Sequence, residues 1–274
     1  MQMYNQQYIN IAEEILKNGH QRTTRSGLVR SLPFQDLTFD MRWQDFPLLT
    51  SRKMYYKGVF GEYAAMIRQP KNIKDFQKWG CNYWNEFGDP DTGDLRLDYG
   101  NSWFNYNGVD QVAQLINNLR VDPYGRRHII NAWKPDNLEN LTLPCCHLMY
   151  QFYVDEEPGA NCAERTLSMV MYSRSGDWMV GVPSDMIFGA TMLACFADMI
   201  NAKAGTLKLV IADAHIYSDH FNNAWKQIEN GYVHIDPTYS LEPQDSFKPD
   251  SFKPEDLQIY NYSYKGAIKY ELKK

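Results

Sequence analysis

Four segments of the chain carry apolar residues at the spacing of a helix face. The first, over residues 8–16, stops at a glycine, which is a common helix terminator. The second, over 59–67, is apolar enough to be buried but contains Glu62, and a buried carboxylate needs a partner or a chemical role. The pattern over 109–119 predicts an amphipathic helix, and the nearly uninterrupted apolar run over 183–202 predicts a long central helix.

Shorter apolar runs with β-branched and aromatic residues predict strands. Residues 28–39 are interpreted as two strands joined by a turn near Pro33, 23–27 as a loop, and 45–50 as a further extended edge. The duplicated segment Ser-Phe-Lys-Pro-Asp/Glu at 246–255 is predicted to be a surface loop. Strands interrupted by few, long helices favour an α+β fold over a regular alternation of strands and helices. The remaining predicted strands cover residues 129–133, 146–154, 165–172 and 207–217.

Length and charge limit the classes of protein to consider. The chain has 274 residues, enough to bury a large core without disulfides, and we expect one domain over residues 1–274. The formal net charge of −5 argues against coating nucleic acid, although it allows a local basic pocket for one phosphate. The N-terminus lacks the pattern of a signal peptide, and no apolar run is long enough to span a membrane, so we expect a cytoplasmic location.

The chain has 5 cysteines, an odd number in no dense framework, which predicts reduced thiols. Cys146 opens an aromatic, apolar strand and is followed by His147, so it is the candidate nucleophile. A thiol attacks only as the thiolate, which needs partial exposure and nearby positive charge or polar donors. Alone, a Cys-His pair is weak evidence, because free cysteines are commonly small buried hydrophobes. Those interpreted as such are Cys81, Cys162 and Cys195, and Cys145 is assigned no chemistry.

Several motifs occur in an order that resembles one enzyme family. The segment Pro-Cys-Cys-His at 144–147, followed by Gln-Phe-Tyr-Val at 151–154, resembles the active-site strand of the thymidylate synthases. Thr-Arg-Ser-Gly at 24–27 resembles the family's phosphate-binding loop, and Asp-Pro with Arg126-Arg127 resembles its paired arginines. Further matches, over nearly the whole chain, are Ser-Arg-Ser-Gly-Asp at 173–177, Gly-Val-Pro at 181–183 and Asp-Ala-His-Ile-Tyr-Ser-Asp-His at 213–220.

The resemblance implies a thymidylate synthase-like fold, in which a large mixed sheet packs with a few long helices and one sheet face forms a homodimer interface. It implies 5,10-methylenetetrahydrofolate as the one-carbon donor, a pyrimidine nucleoside monophosphate as substrate, and no metal. The implied nucleotide contacts are Arg25, Arg174, Ser175, His215, Tyr217 and Gln151, with Arg126 and Arg127 reaching the neighbouring subunit. The implied folate contacts are Trp84, Asp177, Gly181 and Leu143, and the implied acid/base and water-network residues are Glu62, Tyr99 and His147.

The chemistry of a pyrimidine agrees with this assignment. C5 is a poor carbon nucleophile until a thiolate such as that of Cys146 adds at C6, and Glu62 can then move protons at the ring. Strand periodicity puts Cys146 and His147 on opposite faces unless a bulge intervenes, so His147 is placed in the water network rather than as the thiol's base. Four arginines suit a phosphate dianion. A metal site at Asp213, His215 and His220 is rejected, because His215 and Tyr217 share a strand face that fits a sugar clamp.

Asp185 is the main departure from the family pattern, which usually has asparagine there. Asparagine can donate to O4 of uracil and accept from its N3–H, whereas cytosine offers an amino donor at C4 and an acceptor at N3. A carboxyl group accepts from that amino group and, when it or N3 is protonated, completes the second hydrogen bond. Asp185 therefore favours cytosine, and the same replacement is the mark of the deoxycytidylate hydroxymethylases, the family branch that modifies phage nucleotide pools.

Methylation and hydroxymethylation share every step up to an exocyclic methylene, to which hydride or water then adds. Phe87 and Ser184 stand where many synthases have tryptophan and phenylalanine, which suggests a smaller, more polar wall and favours water. Trp84 and Leu143 are retained, and residues 262–269 resemble the closing tail of the synthases, but the last residues are charged where that tail is apolar.

The sequence thus predicts a homodimeric dCMP 5-hydroxymethyltransferase, cytoplasmic, and in the host cytoplasm if a phage encodes it for DNA modification. Alternatives that stay open are a dCMP or dUMP methylase that produces dihydrofolate, and a CMP or dUMP hydroxymethylase. A further alternative is a non-catalytic relative that binds nucleotide or RNA, against which the intact Cys146, Glu62 and arginines argue. No membrane or nucleic-acid partner is expected.

Overall fold

The computed structural model describes residues 4–156, 165–245 and 248–273. The apolar segments named above form helices, and three short segments add one turn or two each. In chain order the helices are α1 (Tyr4–Asn18), α2 (Tyr56–Met66), α3 (Ile73–Gln77), α4 (Tyr99–Phe104), α5 (Gln111–Val121), α6 (Gly181–Met199) and α7 (Phe221–Asn230). As predicted, α6 is the central helix, with nearly every side chain buried, and it packs on the main sheet and on α2. Within the described ranges, no helix is long and apolar enough to cross a membrane.

A seven-stranded mixed sheet carries most of the fold. Its strands are β1 (His20–Thr24), β2 (Gly27–Asp40), β3 (Ile129–Asn131), β4 (His147–Glu156), β5 (Arg165–Ser173), β6 (Gly176–Asp177) and β7 (Lys203–Tyr217). They are ordered β1-β2-β7-β5-β4-β3, with β6 beside β7. The pairs β5–β7 and β6–β7 are parallel and the other pairs antiparallel. A second sheet pairs β8 (Thr238–Leu241) with β9 (Leu257–Tyr260). The α+β class predicted from the sequence is confirmed.

The two faces of the main sheet differ sharply in exposure. Along β4, Tyr150 and Phe152 point into the core, while Gln151 and Tyr153 are exposed on the opposite face. This alternation is the pattern of a strand with one covered face. Exposed apolar side chains extend that outer face, and Ile129, Tyr153 and Val170 keep 39%, 65% and 39% of their surface exposed.

Three local predictions were wrong. Residues 28–39 are not two strands but part of one, β2, which keeps a single register with β7 on both sides of Phe34. The chain kinks there without turning back, and Phe34 adopts a φ of 55°. The predicted loop at 23–27 is only a two-residue turn, and 45–50 forms no strand apart from one bridge, between Asp45 and Thr238.

The duplicated segment at 246–255 also differs from its prediction. Residues 246 and 247 lie outside the described ranges, but Phe252 is fully buried and packs edge-on against Tyr63 of α2. An aromatic ring in the second copy of the repeat therefore anchors the chain to the core. Cys81, Cys145 and Cys195 are buried free thiols, as expected, and Cys162 lies outside the described residues.

Candidate active site

Cys146 lies at the bend immediately before β4, where the polypeptide is rigidly held. Its backbone N–H donates to the hydroxyl of Tyr99 at 2.8 Å, and its carbonyl accepts from the backbone N–H of Arg174 at 2.9 Å. The pairing of β4 with β5 shifts register between His147 and Met149, so the irregularity lies after His147 and not between Cys146 and His147. Cys146 is partly exposed, whereas Cys145 is buried. Only the second thiol is accessible for chemistry.

Arg174 is the cation nearest to the Cys146 thiol. Its Nη2 atom lies 3.9 Å from Sγ, while its Nε and Nη2 donate to the carbonyls of Cys145 and Pro144 at 2.9 Å and 3.0 Å. Burial raises the pKa of the Cys146 thiol, an effect that the charge of Arg174 opposes and that of Asp185 increases. The positive charge beside Sγ is therefore the feature that favours the thiolate.

The four predicted phosphate arginines are not gathered at one place within the chain. Arg25 occupies the turn between β1 and β2, and its charge lowers the pKa of Cys146, so it faces the same site as Arg174. Arg126 and Arg127 are exposed on the segment between α5 and β3. Among the described residues, no hydrogen bond or ion pair joins either of them to Cys146 or Arg174.

Glu62 projects from α2 into a pair of hydrogen-bond donors. Trp84 Nε1 donates to Oε1 at 2.7 Å, and the hydroxyl of Tyr83 donates to Oε2. Trp84 is itself held by ring contacts with Phe76 and Phe87, whose centroids lie 5.0 Å and 5.5 Å away. Burial raises the pKa of Glu62 to about 7, although both donors oppose the shift. A carboxyl group with this pKa can both take up and release a proton near neutral pH.

The raised pKa of Glu62 predicts a pH-dependent loss of stability. The folded protein holds the proton up to about pH 7, whereas an unfolded glutamate releases it near 4.5, so folding takes up a proton between these values. The free energy of unfolding should therefore fall as the pH rises through this window. Glu62→Gln has no such proton. In urea denaturation we expect its stability relative to wild type to increase between about pH 5 and about pH 8; parallel pH curves would contradict the raised pKa.

The side chains of His147 and Asp185 lie close to each other, and Asp185 is also close to the Cys146 thiol. His147 Nδ1 lies 2.5 Å from the Tyr150 hydroxyl, and its Nε2 lies 3.9 Å from Asp185 Oδ1. Burial lowers the pKa of His147 to about 3, so the ring is neutral and gives Asp185 no ion-pair partner. Burial, with the nearby charges of Glu62 and Asp177, raises the pKa of Asp185 well above its usual range. Asp185 still has 17% of its side chain exposed, so a ligand can reach it.

His215 and Tyr217, the residues predicted to form a sugar clamp, lie side by side where β7 ends. The rings of His215 and Tyr217 lie 5.2 Å apart, and His215 Nδ1 lies 3.5 Å from Asp213 Oδ2. Ser175 donates to that same oxygen at 3.2 Å. Burial lowers the pKa of His215, but the hydrogen bond to Asp213 and the charges of Asp177 and Asp213 outweigh it and leave the pKa raised. The cluster can thus donate hydrogen bonds to a hydroxyl group. Among the described residues, no group of three or more His, Cys, Asp or Glu side chains could hold a metal ion.

Two of the four predicted folate contacts, Asp177 and Gly181, lie at the start of α6. Asp177 Oδ1 accepts from the backbone N–H groups of Met179 and Val180 at 2.9 Å and 3.3 Å, which leaves its other oxygen for a ligand. A Cβ atom built on Gly181 would meet nothing within 4 Å, so open space lies in front of this residue. Leu143 is partly buried just before Cys146. The carboxylate of Asp177 can accept hydrogen bonds, and the space at Gly181 can hold a flat ring. Together they fit a planar ligand that carries N–H donors.

Some predicted features differ in detail. Gln151 is exposed on the outer face of the sheet, away from the side on which His147 is buried. Ser184 donates to the Val180 carbonyl at 3.1 Å, so its hydroxyl is satisfied inside the first turn of α6. Sequence reasoning missed Tyr83, Tyr150 and Asp213 as partners of site residues. The position of Tyr83 directly before Trp84 was the only available signal.

The charged C-terminal tail packs against the site's rim. Tyr270 donates to Gln227 of α7 at 2.8 Å, and the Arg52 guanidinium lies 5.1 Å from the centroid of the Tyr270 ring. Lys273 forms an ion pair with Asp219, two residues after Tyr217 of the sugar clamp. The tail is thus held by polar contacts together with the packing of Tyr270 against the core.

Comparison with known proteins agrees with this geometry. The family model described as thymidylate synthase matches residues 6–274. The chain belongs to the thymidylate synthase family. A thymidylate synthase of Mesoplasma florum is 32% identical over 253 residues, which cover 81% of this chain and 85% of that protein. Thymidylate synthase 1/2 of Encephalitozoon cuniculi is 29% identical over 287 residues, 96% of this chain and 95% of that protein.

A third relative shows the same domain within a longer chain. A probable thymidylate synthase of Schizosaccharomyces pombe is 31% identical over 296 residues, 97% of this chain but 47% of that protein. Membership makes this chain a one-carbon transferase of a family that binds a nucleoside monophosphate and uses methylenetetrahydrofolate as co-substrate. The family leaves open which pyrimidine reacts and whether the product carries a methyl or a hydroxymethyl group.

Proposed function

We propose that this thymidylate synthase relative is a dCMP 5-hydroxymethyltransferase, and that Asp185 selects the cytosine base. The observation that carries the proposal is the place of Asp185. It lies in the first turn of α6, with Oδ1 3.9 Å from His147 Nε2, and its charge raises the pKa of Cys146. A base bound next to the Cys146 thiol would therefore present its polar edge to this carboxyl group.

The protonation state of Asp185 supports pairing with cytosine. With its pKa raised by burial, the free side chain is a neutral acid that has one O–H donor and one carbonyl acceptor. Cytosine carries an N3 acceptor beside a C4 amino donor, so the two groups complement each other. In the ionised form, the carboxylate accepts from the amino group and from a protonated N3. Both forms leave the hydrogen-bonding groups of cytosine satisfied.

In the proposed reaction, the Cys146 thiolate forms a bond to C6 and the C5–C6 π pair moves toward C5. Arg174 stabilises the thiolate before the addition, and Asp185 holds the pyrimidine edge. Methylenetetrahydrofolate supplies the one-carbon unit when it is bound, with Asp177 and the open space at Gly181 as its contacts. Glu62 takes the proton lost from C5, releases it, and then takes the proton of the water that adds to the methylene, because its pKa allows these transfers near neutral pH. As the hydroxyl group bonds to the methylene carbon, the electron pair returns to C5–C6 and the C6–S bond breaks, which frees the Cys146 thiolate. The two protons would balance the two N–H groups of the released tetrahydrofolate.

Addition of water rather than hydride is supported by the side chains near Trp84 and at the start of α6. Phe87, whose ring centroid lies 5.5 Å from that of Trp84, and Ser184 near the start of α6 are smaller than the tryptophan and phenylalanine typical of the synthases. Tyr83 and Glu62 form a polar pair, and Glu62 also accepts from the Trp84 indole. A wall that is less filled and partly polar admits water to the reacting carbon.

The second candidate is methylation of dUMP, which the names of the relatives favour. All three are named as thymidylate synthases, one of them as a probable one. The neutral acid of Asp185 can also donate its O–H to O4 of uracil and accept from N3–H, so a high pKa is compatible with this base. The two candidates differ in the base that reacts.

Release of tritium from C5 shows which base reacts, because methylation and hydroxymethylation both remove the hydrogen at C5. We propose to measure it with dCMP and with dUMP, each tritiated at C5, in the presence of methylenetetrahydrofolate. The proposal expects tritium release from dCMP at a kcat/KM at least about 100-fold above that for dUMP, because a mismatched edge leaves buried polar groups unpaired. A preference for dUMP would overturn it and support the second candidate.

We further propose that the enzyme is a homodimer in which Arg126 and Arg127 complete the phosphate site of the partner. Both are exposed and lie apart from Arg25 and Arg174 in one chain. The exposed apolar side chains on the outer sheet face provide a surface for a second copy. A phosphate held by four arginines would then require both subunits.

Mixing two inactive variants tests this arrangement. Cys146→Ser and Arg126→Ala/Arg127→Ala should each be inactive, but a mixed dimer would contain one site with an intact thiol and intact arginines. After subunit exchange we expect about a quarter of wild-type activity, since half of randomly paired dimers are mixed and each has one working site. If exchange is shown by mass and no activity returns, the shared site is wrong.

A further inference from the structure

Tyr83 is a partly buried hydrogen-bond donor to which the family chemistry gives no role. Its hydroxyl donates to Oε2 of Glu62, while the Nε1–H of Trp84 donates to Oε1 at 2.7 Å. The two donors are consecutive residues of one short 3₁₀ helix, Tyr83–Glu86. The carboxyl group is therefore bound at both oxygens by a single rigid element.

Two hydrogen-bond donors, one on each oxygen, fix the orientation of a carboxylate plane, whereas a single donor does not. The terminal torsion of glutamate is broad, so a single hydrogen bond to one oxygen leaves the other free to swing. With Tyr83 on the second oxygen, the plane of the carboxylate is fixed, and each oxygen keeps a further lone pair for a proton or a water. The same donor stabilises the ionised form, because a hydroxyl donates to a carboxylate more strongly than to a neutral acid.

We propose that Tyr83 is a positioning residue for the proton-transfer step, which fixes the orientation of Glu62 and keeps its carboxylate available as a base. The inference rests on the acid/base role of Glu62 in the proposed function. Among the described residues, Tyr83 forms a hydrogen bond with Glu62 and none with Cys146 or Asp185, so it acts through Glu62. Its hydroxyl is also within hydrogen-bonding reach of the buried Cys81 thiol, which can hold it when Glu62 is protonated.

Other titratable groups near Glu62 do not replace this donor. The charge of Glu62 raises the pKa of Cys81 on the segment before the 3₁₀ helix, of Tyr150 on β4 and of Asp185 on α6, so each of them lies close by. Tyr99 of α4 lies beyond Trp84, with ring centroids 6.1 Å apart. Among these groups in the described part of the chain, none is cationic. Tyr83 and Trp84 are thus the groups that stabilise the ionised Glu62 against burial.

Tyr83→Phe and Tyr83→Ile both remove the hydroxyl and test the inference in the full-length enzyme. The pKa of Glu62 can be followed from the ¹³C shift of its carboxyl carbon in protein labelled at glutamate Cδ, with Glu62→Gln to assign the signal. We expect an upward shift of about one to two pH units, the size of a charged hydrogen bond. The rising limb of kcat/KM for tritium release should move by the same amount, so that activity lost at neutral pH returns at higher pH.

Tyr63→Phe is the matched control, since Tyr63 is a buried tyrosine of the same helix whose ring packs on Phe188 and Phe252. It should leave the titration of Glu62 unchanged. An unshifted titration in both Tyr83 variants would overturn the inference whichever product the enzyme makes. A shifted titration together with a product other than 5-hydroxymethyl-dCMP would support the inference and overturn the proposed function instead.

Discussion

Cys146→Ser is expected to lower turnover by about 10³-fold or more while nucleotide binding is retained. The hydroxyl of serine is far less acidic than a thiol, and a nearby cation such as Arg174, 3.9 Å from Sγ, cannot ionise it. The phosphate and sugar contacts do not involve Sγ, so the affinity for nucleotide should change little. Tritium release from C5 measures turnover, and equilibrium binding of the nucleotide measures affinity.

Cys145→Ala provides the control for this prediction. Cys145 is the adjacent thiol, but it is fully buried, and Arg174 contacts its carbonyl rather than its sulfur. Burial also raises the pKa of its thiol to about 12. The variant should therefore keep its turnover. Near-normal turnover in Cys146→Ser would contradict covalent catalysis by this residue, and a loss as large in Cys145→Ala would show that the substitutions disturb the strand.

Asp185→Asn should shift the preferred base from cytosine toward uracil. In the orientation that donates to O4 and accepts from N3–H of uracil, an amide faces the C4 amino group of cytosine with a donor and N3 with an acceptor, so both pairs are mismatched and only a flipped amide would match cytosine. We expect the ratio of kcat/KM for dCMP to that for dUMP to fall by about 100-fold or more, because an unmatched edge is buried with the base. Competition between the two tritiated nucleotides gives this ratio directly.

Asp198→Asn is the matched control, because Asp198 lies at the far end of the same helix. Its Oδ2 atom accepts from the backbone N–H of Gln244 at 2.6 Å, remote from the nucleophile. The substitution should leave the base preference unchanged even if stability falls. An unaltered ratio in Asp185→Asn would mean that another group reads the base, and the assignment of cytosine would lose its physical basis.

The parts of the fold that followed from the sequence are those set by burial. The apolar run that became α6 and the alternating residues of β4 were predicted because each has to place its apolar side chains in one core. The ordered motifs around Cys146 and His215 then placed the site at the ends of β4 and β7. The sequence of one helix or strand was enough to predict a residue's position when that position depends on the same helix or strand alone.

The predictions that failed depended on contacts between distant segments. Nothing near Pro33 in sequence indicates that β7 holds both halves of β2 in one register across the kink at Phe34. Phe252 looked like a loop residue because its burial depends on Tyr63, far away in the chain. Tyr83 was overlooked for the same reason: only the structure brings its hydroxyl to Glu62.

The charged groups show a further limit of sequence reasoning. Asp185 and Glu62 have raised pKa values because of burial, and His147 a lowered one, yet none of these shifts can be read from neighbouring residues. Residue spacing does not indicate that Arg25 and Arg174 both act on the Cys146 thiol, and only the family resemblance assigned Arg126 and Arg127 to a second subunit.

The central claim is that Cys146 and Asp185 direct a hydroxymethyl group to C5 of dCMP. The most direct test is the mass of the nucleotide formed from dCMP, and separately from dUMP, with methylenetetrahydrofolate, while absorbance is followed for dihydrofolate. The account predicts that dCMP gains one CH₂O unit, that no dihydrofolate forms, and that dUMP is nearly inert. A methylated product from dUMP with stoichiometric dihydrofolate would contradict it and identify the enzyme's reaction as thymidylate synthesis.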